Sequence, residues 1–403
     1  MSFTPPTRRQ FLIGAAGAAG AVSAVSLSAC SAENAAPDAQ PLTHAVVPFD
    51  GEHQAGIATP TQADLNLAAF NLKPGVDAAG IARLMRVWTE DARELTAGRN
   101  PRSSLEPEMV RWPANLTITC GFGERVFDIA APDNKPEWLH DIPAMTRDQF
   151  DGKWNQTDLV LQICSDDPVM SAWALRHMTR AGMDYVQPAW LQQGFMNAYG
   201  SIPKGHTPRN LFGQVDGTVN PHSADEFAEQ VWADGPAGYA GSTSLVVRRI
   251  HMDLDDWERL DRASREQSVG RKLADGAPLT GSGEFDEPDF DATDEYGLPV
   301  IDKNSHMARA TAPDSNPEQR FLRRPYNYNL PPDSGQLSNA GLIFIAYQKD
   351  PDLQFTPVLQ RLDEVDRLNE WTTHIGSAVY WIPPGTQPDH GGDAFWGQTV
   401  LQG

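Results

Sequence analysis

Apolar positions follow two spacings along this chain. Runs at 65–72, 116–122 and 158–164 are short and nearly continuous, as in strands. By contrast, AAGIARLMRVWTEDARELTAG at 78–98 repeats its apolar residues every three or four positions, the spacing of a helix lying on an apolar layer. A second helix is predicted near 168–182, followed by an extended YVQPAWLQQGFMNAYG. A similar series then begins again. STSLVVRRIHMDL at 242–254 reads as a strand, DDWERLDRASREQSVG as a helix, AGLIFIAYQ at 340–348 as a strand, FTPVLQRLDEVDRL as a helix and SAVYWIPPG at 377–385 as a strand. Two consecutive sets in similar order predict a duplicated α+β unit.

Two regions lack this periodicity. Between the helix ending near 270 and the strand at 340 lies a long irregular stretch, a length that in a compact domain usually carries function or is disordered. Its acidic part, 283–295, lacks the D-x-D-x-D-G spacing and closing glutamate of a calcium loop. The other region is N-terminal. TRRQFLIGAAGAAGAVSAVSLSAC at 7–30 couples Arg8 and Arg9 to an uncharged small-residue run, the layout of a twin-arginine export signal, and its Gly/Ala content argues against a membrane span. The closing LSAC resembles a lipoprotein cleavage box that would leave Cys30 lipidated; ordinary cleavage nearby is the alternative. An Ala-, Pro- and Asp-rich segment then reads as a flexible tether. The expected organisation is a signal at 1–30, a tether at 31–54, and domains at 55–211 and 212–403.

Composition narrows the partners. With 53 acidic against 32 basic side chains the chain carries −21, which disfavours nucleic acid and anionic lipid surfaces. Membrane contact is expected only through a lipid on Cys30. Cys120 and Cys164 lie in strand-like runs; a bridge and two buried thiols both remain open.

The chemistry gathers around GQVDGTVNP at 213–221, where Asp216 sits beside Gly217. Alone, such an aspartate commonly accepts hydrogen bonds from its own turn. His306 in NSHMARATAP and the pair Arg323–Arg324 are equally ordinary when taken singly. Their order is not. PFDGEHQAGIATP at 48–60, NLFGQVDGTVNP at 210–221, GRKLADGAPL at 270–279, SHMARA at 305–310, FLRRPYNYN at 321–329 and GLIFIAYQ at 341–348 together resemble the dye-decolourising peroxidase family, in its exported deferrochelatase/peroxidase branch.

That resemblance implies an α+β fold of two tandem ferredoxin-like domains with antiparallel sheets, and one haem b per chain held mainly by the C-terminal domain. His306 matches the axial iron ligand, with His374 in TTHIGSAVYWIPPG as its rival. Its second ring nitrogen should meet a carboxylate or carbonyl that the sequence does not identify. Asp216 matches the proton shuttle and Arg323 the guanidinium that steadies charge as peroxide is split. The guanidinium favours the charged carboxylate, so activity is expected to extend into acid. Gly213 and Gly217 would let backbone approach the haem disc. Gly217, Thr218, Val219, Thr311, Ala312 and Pro313 would line it, and Arg309 is a candidate propionate partner. Tyr326, Tyr328 and Trp381 are candidate electron carriers, core packing being the ordinary reading.

The implied activity is reduction of hydrogen peroxide with oxidation of bulky organic donors, together with release of iron from haem. The alternative is a non-catalytic envelope haem or iron carrier serving iron-uptake components. Export places the protein in the periplasm, cell envelope or extracellular space, and a homo-oligomer is left open.

Overall fold

The computed structural model describes residues 41–102 and 104–402. The expected export signal at 1–30, Cys30 and the start of the expected tether lie outside the described residues. The elements run β1 (Asp64–Leu72), α1 (Ala78–Thr96), β2 (Thr117–Phe122), α2 (Glu124–Ala130), β3 (Leu159–Ser165), α3 (Pro168–Gly182) and β4 (Val186–Phe195). They continue with α4 (Ala224–Gln230), β5 (Thr243–Met252), α5 (Leu254–Trp257), α6 (Arg262–Val269), α7 (His306–Ala310), β6 (Leu322–Arg323), β7 (Tyr326–Leu330), β8 (Asn339–Gln348), α8 (Phe355–Val365) and β9 (Thr372–Ile382).

All strand pairings between these elements are antiparallel. The first half orders its strands β2-β3-β1-β4 and the second β9-β5-β8-β7, so the two repeat one topology. They do not form separate sheets. Phe122 of β2 pairs with Trp381 of β9, and Phe195 of β4 with Asn327 of β7, which joins the halves into one closed ring. Closure removes exposed strand edges and encloses a second core. Period-two alternation divides the side chains: Leu245, Val247, Ile343, Ile345, Tyr347 and Tyr380 fill the interior, while Val246, Ala346, Val379 and Trp381 face the outer layer with α1 and α3.

Local sequence explains the helix ends. Asp77 caps α1 by accepting from Gly80 N at 2.8 Å, and Asp167 caps α3 ahead of Pro168 at the first helical position. The helix predicted through 255–270 is broken in two. Asp253 caps α5 and Asp261 caps α6 by accepting from Ser264 N at 2.9 Å, because each carboxylate offers the backbone an exit from the helical ladder. Gly270 ends α6 at φ +89°, a conformation that favours glycine.

One expectation is corrected here, and one open alternative is resolved. Residues 45–54, read as tether, are docked on the body: Ala45, Phe49 and Gln54 are buried. Gln54 bonds both the N and O of Cys120, at 2.8 and 3.0 Å, and Arg93 pairs with Asp50 at 2.8 Å. A polar, proline-rich composition hid the two apolar anchors. Cys120 and Cys164 are both buried free thiols, since they stand at different register positions of the β2–β3 pair and belong to opposite sides of the sheet.

Candidate functional site

Asp216 is held by a loop that folds back on itself. Its backbone N donates to Pro208 O at 2.9 Å, and the loop turns through Gly213 at φ +82° and Gly217 at φ +131°. These positive angles explain both glycines; at Gly213 a Cβ would meet only Leu273 at 3.8 Å, so backbone conformation, not crowding, requires glycine there. The carboxylate serves both its own loop and a distant partner. Oδ2 accepts from Asn210 Nδ2 at 3.1 Å, and Oδ1 accepts from Arg323 Nη1 at 2.7 Å.

Arg323 reaches it from β6, the short pairing with β8 that precedes the buried Arg324 and Pro325. Asn220 fixes the arginine's backbone from both sides, accepting from its N at 2.9 Å and donating to its O at 2.7 Å. One loop thus supplies the carboxylate, its amide support and the clamp on its cationic partner. Arg271, from the 270–279 block, donates to Gly276 O and Glu284 O at 2.7 and 2.9 Å, tying the following chain down. Thr218 Oγ1 donates to Glu284 Oε1 at 2.9 Å, which joins the same two segments.

His306 opens α7. Ser305, fully buried, caps that helix and packs on Gly270, where a Cβ would come within 2.8 Å of the serine Oγ. Its Nδ1 meets Asp366 Oδ2 at 2.7 Å, while Asp366 Oδ1 accepts from Leu368 N at 2.9 Å. The carboxylate, only 2% exposed, can accept but not donate, so Nδ1 carries the proton and Nε2 of the neutral ring offers a lone pair. Burial is the largest influence on the His306 pKa and lowers it, but Asp366 outweighs burial and the net shift is upward; Arg323 lowers it and Asp216 raises it. The ring is 34% exposed, so part of it meets solvent. The electrostatic reach of Arg323 and Asp216 puts all three groups in one neighbourhood.

The small core of Phe212, Met252, Trp257, Val269 and Leu342 leaves Ile250, Phe344 and Leu368 only partly covered. Only the first turns of α8 are buried, through Phe355, Thr356, Val358 and Leu359.

The remaining predicted residues are distributed less tightly. Thr218 is nearly buried, whereas Val219 is 67% exposed. Thr311 Oγ1 bonds Met307 O at 2.8 Å, Ala312 is half-buried and Pro313 exposed. Arg309 gives its guanidinium to Glu364 and to Arg361 O. His374 is engaged elsewhere: its Nδ1 accepts from Arg248 Nη2 at 2.7 Å, and burial together with that guanidinium lowers its pKa to about 3. Tyr326, Tyr328 and Trp381 are all core residues. Sequence reasoning missed Asp366, Asn210 and Asn220. The two asparagines lie in the quoted block, where their polarity among glycines was the available signal; Asp366 gave none, sitting in an ordinary helix end.

A family model described as Dyp-type peroxidase, N-terminal, matches residues 54–196, and one described as Dyp-type peroxidase, C-terminal, matches residues 207–387. The dye-decolorizing peroxidase of Thermobifida fusca is 34% identical over 367 residues, covering 87% of this chain and 84% of that protein. A deferrochelatase of Shigella flexneri is 30% identical over 419 residues, covering 98% and 97%. The crystal structure of a DyP-type peroxidase from Cellulomonas bogoriensis superposes with a TM-score of 0.86 at 44% identity, covering 90% of this chain and all of that one. The chain belongs to the Dyp-type peroxidase family.

Proposed function

We propose that this protein is a haem-dependent peroxidase that reduces hydrogen peroxide and oxidises bulky organic donors. The carrying observation is the Arg323–Asp216 pair at 2.7 Å in the neighbourhood of a histidine whose Nδ1 is committed to Asp366. The residues fit the group: His306 Nε2 makes no hydrogen bond among the described residues, and Ile250, Phe344 and Leu368 keep partly exposed apolar surface in the same half of the chain. When bound, the haem iron supplies two-electron chemistry with peroxide and is returned by the donor.

The chain's own residues do the rest. His306 Nε2 would hold the metal, made more basic by Asp366. Asp216 would take the proton from one peroxide oxygen and return it to the other, while Arg323 would steady the negative charge that builds as the O–O bond breaks. Asn210 and Asn220 keep acid and guanidinium aligned without titrating. Gly217, Thr218, Val219 and residues 311–313 would line the disc, and Arg309, now bound to Glu364 and Arg361 O, would turn part of its fork to a propionate.

Each half is read as a ferredoxin-like unit, with one haem b per chain held mainly by residues 212–403. Release of iron from haem, suggested by the deferrochelatase relative, and export through the twin-arginine leader with a lipid on Cys30 belong to the same reading. A passive haem carrier would need neither the acid nor the guanidinium beside it. The test is the absorption spectrum of protein purified with haem supplied, before and after one equivalent of peroxide. A Soret band that peroxide shifts in the wild type but not in Asp216→Asn supports the peroxidase; an unchanged wild-type spectrum leaves the carrier.

A further inference from the structure

Away from His306, a cavity of about 940 Å³ opens between the docked 47–59 segment and α4. That volume suits a small organic ligand. Its principal feature is a ring stack: His53 lies parallel to Trp232 with centroids 3.7 Å apart and planes at 7°, and Phe227 continues the stack at 6.1 Å and 20°. His53 Nδ1 lies 2.9 Å from Gly241 O. A carbonyl only accepts, so Nδ1 carries the proton and Nε2 of the neutral ring is an acceptor, for which no hydrogen bond occurs among the described residues. The adjacent Gln54, by contrast, is fully used in binding the backbones of Cys120 and Pro383.

The charge of the walls selects further. Glu52 and Asp234 border the cavity and no lysine or arginine does. Asp234 is paired with Lys349 at 2.9 Å, which leaves Glu52 as the uncompensated charge. On a chain of −21, such a site repels anions and admits neutral or cationic aromatics.

We propose that this cavity is the binding site for a phenolic reducing donor, its ring packed on the His53–Trp232 stack and its hydroxyl donating to His53 Nε2. The inference rests on the peroxidase reading, which supplies the oxidant. One-electron oxidation converts the phenol ArOH into ArO•, one electron and one proton; the electron is consumed by the peroxide-generated oxidant, and Nε2 takes the proton. Trp232 packs on the interior core that includes Leu322, the neighbour of Arg323 in the chain, so the cavity and the peroxide side share one packed layer.

The probe is 2,6-dimethoxyphenol, titrated by calorimetry into the purified full chain with and without haem and without peroxide. Saturable one-to-one binding is expected in both. Ala228→Trp, on the exposed face of α4, should fill the cavity and abolish binding with an unchanged melting temperature. His53→Phe keeps a ring but loses the acceptor and should weaken binding about tenfold, one hydrogen bond's worth. In loaded enzyme at saturating peroxide, Ala228→Trp should raise the phenol KM at least fivefold and leave the absorption change with peroxide alone at the wild-type rate. No phenol binding to the wild type, or binding and KM unaltered in Ala228→Trp, overturns the proposal. Failure of the peroxidase reading looks different: peroxide alone leaves the loaded wild-type spectrum unchanged, whatever the calorimetry gives.

Discussion

The two halves build one sheet with the same strand order, yet Asp216, His306, Arg323 and Asp366 all come from the second. In the first, the crossover from β1 to β2 is α1, a 19-residue helix that buries Ile81, Leu84, Met85, Trp88, Ala92 and Leu95. Trp88 Nε1 donates to Met178 O at 2.9 Å, and Gly182 of α3 leaves space for its ring and no more. In the second, the matching crossover from β5 to β7 is broken into α5, α6, a long turn-rich run and α7. A continuous helix presents one unbroken ridge and seals the sheet. Pieces capped by Asp253, Asp261 and Ser305 cannot, and Ile250, Phe344 and Leu368 are left only partly covered.

The sharpest way to break this contrast is His306→Ala. Haem retention and the Soret band should be lost, whereas His374→Ala should keep both; the reverse result would move the ligand to β9. Next in size is Asp216→Asn, which keeps a hydrogen-bonding shape but cannot take a proton. It should lower kcat/KM for peroxide by about 10²–10⁴ with haem retained, the usual weight of a general acid–base group. Asp366→Asn acts through His306 and should weaken haem binding or turnover by about 10–100-fold, as carboxylate partners of ligating histidines do. An unaltered haem off-rate and turnover would mean that Asp366 serves only the helix end. In the first half the expected loss is of another kind. Trp88→Ala should cost about 3–5 kcal/mol in denaturant unfolding, the usual range for a buried Trp, with activity per folded molecule unchanged.

The same contrast governs what the sequence revealed. α1 and the strands were legible because a sealed layer imposes a strict apolar period on its residues. The broken crossover carries no period, and its acidic residues proved to be turn formers: Asp286 accepts from the backbone N of Ser282 and Gly283, and Asp294 from that of Tyr296 and Leu298. Asp216, Arg323 and His306 were legible as ordered blocks, while the contact between Arg323 and Asp216 spans 107 positions and has no local signature. Closure of the sheet was invisible for a related reason. It rests on the Phe122–Trp381 and Phe195–Asn327 pairings, and neither residue type announces its partner.

The smallest effect compares one buried histidine in each half. His177 Nε2 meets the Asp91 carboxylate at 2.8 Å, whereas His374 Nδ1 faces the Arg248 guanidinium at 2.7 Å. Asp148, Ser377, Phe150 and Thr146–Asp363 complete the surroundings of Arg248 and its loop. Burial first, and the guanidinium second, hold the His374 pKa near 3, below its ordinary 6.5. Between those two values the unfolded chain therefore binds a proton that the folded chain refuses. Stability contributed by the neutral ring is complete above about pH 6.5 and falls as pH drops towards 3, by up to about 1.4 kcal/mol per unit. His374→Gln can still accept from Arg248 but does not titrate in this window. Urea unfolding at pH 7 and pH 5 should show a shallower loss in the variant, by roughly 2 kcal/mol over the 1.5 units below 6.5. Equal losses in the two proteins would mean that the folded ring takes its proton after all, with Asp148 rather than Arg248 setting its charge.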